Sequence, residues 1–117
     1  MPIFTSDEAQ KGAELCPDGS RVNVLANGEH QQFLLARFEP GGVYLLHSHP
    51  YEQTSVMLQG RMRLTVGDEV RDIGPGDMWF APAGVPHGGE ILGDEAVIFI
   101  DVYAPPSGGL GSDVTYY

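Results

Sequence analysis

Apolar and polar residues alternate with a period of two along much of the chain. Arg61, Arg63 and Arg71 alternate with Met62, Leu64 and Ile73, which predicts strands with one charged, solvent-facing side. Strands are expected at 21–26, 31–38, 43–49, 53–58, 61–66, 69–73, 78–81, 88–92 and 96–103. Turn residues fall between them: Asn27-Gly28 as a hairpin dipeptide, Glu39-Pro40-Gly41-Gly42, Gly60, Gly67-Asp68 and Gly74-Pro75-Gly76-Asp77. Pro82-Ala83-Gly84-Val85-Pro86 is a loop, because neither proline can donate to a central ladder. One helical piece is expected within 5–14, with Thr5 or Ser6 as its N-cap and Asp7 and Glu8 in its first turn.

The stretch 96–103 is apolar on both parities. Val97, Phe99 and Tyr103 share one face with Asp101, while Ile98, Ile100 and Val102 share the other. One face suits a barrel interior; the outer one needs a second sheet or a second subunit, and a homodimer is the economical expectation. Short strands at near-regular spacing indicate an all-β sandwich or barrel. At 117 residues the chain is one domain, 1–117, with the barrel at about 20–104 and a loosely held Pro/Gly/Ser-rich tail at 105–117.

Acidic residues outnumber basic ones sixteen to six, a formal net charge of −10. That balance argues against nucleic acid and anionic membrane surfaces, which call for basic patches. Cys16 is the single cysteine, so no intrachain disulfide forms, and nothing around it suggests a nucleophile. Residues 1–12 lack a basic start and an apolar run, and no stretch reaches membrane-spanning length. The expectation is a soluble, cytoplasmic protein.

The candidate chemistry lies in the histidines. His47 and His49 are two apart in an apolar context, so an extended backbone projects both imidazoles from one surface. His87 follows the proline-rich loop, a rigid way to aim a third ring. His30, between Glu29 and Gln31 near a turn, reads as a solvated residue, and Trp79 and Phe80 read as core or interface.

Gly41-x5-His47-x-His49-x3-Gln53-x6-Gly60 resembles the first cupin motif, with glutamine in the usual glutamate position; Gly76-x5-Pro82-x-Gly84-x2-His87 resembles the second, with Ile91 in place of its closing asparagine. The resemblance implies a small double-stranded β-helix, or jelly-roll barrel, with a short N-terminal strand or helix segment. It further implies one divalent transition metal (Fe, Ni, Mn, Co or Zn) held by His47, His49, Gln53 and His87. By strand parity Glu52 faces away from Gln53, although a bulge at Pro50-Tyr51 would reverse that choice. The last strand, Phe99-Ile100-Asp101-Val102-Tyr103, is similar to that of small cupins that convert 4,5-unsaturated monouronates in pectin and alginate degradation. That likeness implies Asp101 and Tyr103 as catalytic residues, whereas Ser107 stands where the group carries an arginine. Three functions follow as expectations: an isomerase- or lyase-type enzyme on a small polar carbonyl- or carboxylate-bearing, sugar-derived substrate; an Fe(II)-dependent dioxygenase; or a non-enzymatic module that binds or senses a small ligand.

Overall fold

A computed structural model describes residues 3–16, 19–108 and 113–117. Helix α1 (Ser6–Gln10) and strand β1 (Glu14–Leu15) precede the hairpin of β2 (Arg21–Asn27) and β3 (Gln32–Phe38). Next come β4 (Val43–Ser48), β5 (Glu52–Gln59), β6 (Arg61–Val66), β7 (Glu69–Ile73) and β8 (Met78–Ala81). The last strands are β9 (His87–Leu92), β10 (Val97–Ala104) and β11 (Thr115–Tyr116). They form two antiparallel sheets, ordered β1-β2-β3-β10-β5-β8 and β11-β4-β9-β6-β7. The expected all-β double-stranded β-helix is therefore the fold.

The sheets meet over an apolar core to which both contribute. Phe38, Met57, Trp79, Val97 and Phe99 come from the six-stranded sheet, and Tyr44, Met62, Leu64 and Ile91 from the five-stranded one. Phe99 anchors it, stacked on Phe38 at 5.7 Å and met edge-on by Trp79 at 5.0 Å. The opposite face of β6 and β7 carries the arginines, and Arg63 Nε pairs with Asp72 at 2.9 Å. Such an exposed pair adds little stability.

Gly60, between β5 and β6, has φ +85, and a Cβ there would lie 2.6 Å from the Ala96 carbonyl oxygen and 2.9 Å from Val97 Cα. Only glycine allows both that conformation and so close an approach of the β5–β6 turn to the start of β10.

Three local details differ from the pattern-based expectation. The helix is five residues long: Thr5 Oγ1 accepts from the Glu8 amide at 3.2 Å, and the chain leaves the helix before Gly12 at φ +72. Ala9 on that helix packs with Leu35 and Ile98, so part of the apolar outer face of β10 is covered from within the chain. The β2–β3 hairpin pairs Asn27 with Gln32, so its loop spans 28–31 rather than the Asn27-Gly28 dipeptide alone. Within 105–117, residues 109–112 lie outside the described residues. Ser107 Oγ donates to Gln32 Oε1 at 2.6 Å, and β11 pairs Thr115 and Tyr116 with Ser48 and His47 of β4.

Candidate metal centre

Strand register builds the site. His47 on β4 lies directly opposite His87 on β9. On the other sheet β10 pairs with β5, placing Asp101 opposite Ser55 and Tyr103 opposite Gln53. Simple alternation along β4 does not survive: a bulge lies between Tyr44 and His47, so Leu45 and Leu46 both face solvent while Tyr44 and His47 both face inward. His49 follows the end of β4, and its carbonyl accepts from the Gly84 amide at 2.8 Å, which ties it to the proline loop that delivers His87.

His47, His49 and His87 are buried, and one ligand nitrogen from each lies within 4.8 Å of the other two. Each Nδ1 faces a backbone carbonyl: Leu45 at 2.7 Å from His47, Tyr51 at 2.8 Å from His49 and Val85 at 3.0 Å from His87. A carbonyl only accepts, so Nδ1 carries the proton in every ring and each Nε2 presents a lone pair. Gln53 Oε1 lies 3.0 Å from Nε2 of both His49 and His87. Its amide nitrogen points the other way, donating to Asp101 Oδ1 and Ser55 Oγ at 3.0 Å each and to the Tyr44 hydroxyl at 3.2 Å. Nitrogen lone pairs and an amide oxygen thus face one point with no proton among them. A cation satisfies that arrangement, and the N3O donor set fits a divalent transition metal.

Glu52 is exposed, as strand parity indicates, so the ligand candidate at this turn is Gln53. Asp101 is buried beside Gln53 and accepts from Ser55 Oγ at 2.5 Å as well as from the Gln53 amide. Burial raises its carboxyl to about 7, against the pull of those two hydrogen bonds. Tyr103 lies 5.4 Å from the His49 ring, and burial keeps its hydroxyl protonated far above the usual range. Four neighbours escaped the sequence-based expectation. Ser55 shares the face of Gln53 two residues on, a signal that was there to use; Tyr44 is hidden by the bulge. Tyr51 stacks on His49 at 4.0 Å, and Tyr116 reaches to 6.0 Å from His47 out of the distant tail.

His87 is pushed down to about 3, first by burial and then by the charge of His47. The folded metal-free protein therefore binds this proton less readily than the unfolded chain does. Its contribution is full above pH 6.5, the ordinary value, and is lost as pH falls from 6.5 towards 3. Urea midpoints of metal-free protein are expected to drop across that window and to drop less in His87→Gln; parallel profiles for the two proteins would contradict this account.

A cavity of about 420 Å³ opens on the site, with His47, His49, Asp101 and Tyr103 in its wall. Among the described residues no helix is long and apolar enough to cross a membrane.

Comparison with known proteins agrees with this geometry. The profile of the family described as "Cupin domain" matches residues 34–103. The chain is 35% identical over 87 residues to oxalate decarboxylase OxdC of Bacillus subtilis (strain 168), covering 70% of this chain and 22% of that protein. It thus spans about a fifth of that relative's length. Among solved structures, KdgF from a Halomonas species is 25% identical with a TM-score of 0.71, over 79% of this chain and 83% of that one. An RmlC-like cupin from Shewanella frigidimarina NCIMB 400 is 21% identical with a TM-score of 0.77, over 90% and 91% of the two chains, a likeness of fold alone.

Proposed function

The chain belongs to the cupin domain family, and from that premise we propose that it is a metal-dependent enzyme of the isomerase or lyase type acting on a small carbonyl- or carboxylate-bearing molecule. The observation that carries this reading is the set of unprotonated donors facing one point: Nε2 of His47, His49 and His87 with Oε1 of Gln53. These four residues would hold one ion of iron, nickel, manganese, cobalt or zinc. When bound, such an ion would supply Lewis acidity towards a carbonyl or carboxylate oxygen.

The remaining work belongs to the protein. Ser55 and Gln53 both bond Oδ1 of Asp101, and the carboxylate would take a proton from the carbon beside the carbonyl and return it. A carboxyl raised to about 7 suits that exchange near neutral pH. The protonated Tyr103 hydroxyl donates to a substrate oxygen, and Leu34, Phe38 and Phe99 give the cavity an apolar side. The sequence likeness to monouronate-converting cupins supports the reaction type. The sugar-acid substrate draws less support, because Ser107 replaces the expected arginine and spends its hydroxyl on Gln32.

The test uses metal-loaded protein and a panel of keto acids, keto sugars and 4,5-unsaturated monouronates. It follows deuterium incorporation beside the carbonyl and loss of double-bond absorbance. Asp101→Asn is expected to slow turnover about 10²–10⁴-fold while metal content stays within twofold. Oxygen uptake would point instead to a dioxygenase, and ligand binding without turnover to a sensing module.

A further inference from the structure

We infer that the cavity at the histidines takes a monoanionic oxygen chelate with a flat, apolar body, such as the enolate of an aryl-substituted 1,3-dicarbonyl, in preference to a dianion or a polyhydroxylated acid. The inference rests on the metal-centre reading above and narrows its substrate class. The first ground is the placement of positive charge. The chain has six lysines and arginines, and none of them lines this cavity. Arg37 pairs with Glu39, Arg63 with Asp72 and Arg71 with Glu69, while Lys11, Arg21 and Arg61 are exposed. Apart from the histidines, the cavity's charge-bearing groups are the carboxyls of Glu14 and Asp101, with tyrosines and Cys16, and none of these supplies a cation.

A divalent ion in an all-neutral ligand set brings two positive charges. A singly charged chelate leaves one of them to balance the wall carboxyls. A dianion such as oxalate uses both and leaves the buried Asp101 carboxyl facing extra negative charge, where unpaired charge is costly.

The second ground is the wall itself. Val22, Leu34, Ala36, Phe38 and Phe99 line the cavity together with Ser20, Ser107 and the tyrosines, and Leu34 and Phe99 are fully buried. Ser107 already donates its own hydroxyl to Gln32, and a sugar hydroxyl that lies against the five apolar side chains has no hydrogen-bond partner there. An aromatic body suits them, and Tyr44 and Tyr103 add ring faces to the same cavity. At about 420 Å³ the space lies within the range of roughly 300–1,000 Å³ typical of small-molecule sites.

Calorimetric titration of nickel(II)-loaded protein, with metal content checked before and after, tests this without any turnover. 1-Phenyl-1,3-butanedione is expected to bind at least tenfold more tightly than 2,4-pentanedione, because the two differ in the apolar ring, and at least tenfold more tightly than oxalate or galacturonate. Ser107→Arg, which puts a guanidinium at the cavity wall, is expected to raise oxalate and galacturonate affinity at least tenfold. Nickel-loaded protein that prefers oxalate, or that binds neither diketone, overturns this inference alone. Protein that takes up no nickel overturns the metal-centre reading with it.

Discussion

His87→Ala is expected to lower bound metal at least tenfold, about 1.4 kcal/mol of binding free energy or more, while the barrel stays folded. His87 is the middle ring of the three, with centroids 4.3 Å from His47 and 4.9 Å from His49, and it is fully buried. It arrives on a stiff support: the Pro82–Pro86 loop hydrogen-bonds its own Val85 amide back to Pro82, and Val85 O fixes the ring through Nδ1. No other imidazole can swing into its place, since His47 and His49 are each tethered to a backbone carbonyl. The fold survives because the main apolar core is built by Phe38, Met57, Trp79, Phe99 and their neighbours, not by this ring. Elemental analysis after loading and gel filtration, with circular dichroism as the folding control, decides the matter. Equal metal in mutant and parent would remove the site.

Gly88→Ala is expected to damage both stability and the site. A Cβ at Gly88 would lie 2.7 Å from the Tyr44 carbonyl oxygen and 2.9 Å from Leu46 N and Cα. These are backbone atoms of β4 and cannot rotate out of the way. Gly88 is absent from the positive-φ glycines, so the cost is collision rather than backbone conformation. The bulged part of β4 must move from β9 beside the point where His47 faces His87. Overpacking of this kind costs about 1–3 kcal/mol, and displacing His47 should weaken metal binding about tenfold. Denaturant titration of the metal-free variant together with its metal content checks both; an unchanged midpoint would mean that β4 yields without cost.

Much of the site was legible because strands encode it locally. The two-residue spacing of His47 and His49, the parity that favours Gln53 over Glu52, and the inward placement of Asp101 with Phe99 follow from a period of two. Where backbone geometry departs from that period, the sequence is silent. Nothing in Tyr44-Leu45-Leu46-His47 announces the bulge that turns Tyr44 towards Gln53. The cover of Ile98 by Ala9 and the approach of Tyr116 to His47 join residues more than sixty positions apart, and no local pattern specifies such meetings. The role of Asp101 was half visible. Its burial could be read from parity, but its grip on the Gln53 amide depends on the β5–β10 register, which aligns it with Ser55.

The carbonyls that anchor the three rings belong to residues only two positions from each histidine. Ring orientation is therefore set by local chain geometry and owes nothing to an occupant. A site built this way would be a socket rather than a clasp: loading would follow assembly of the polypeptide instead of driving it. The element recovered with the protein should then track what the growth medium supplies.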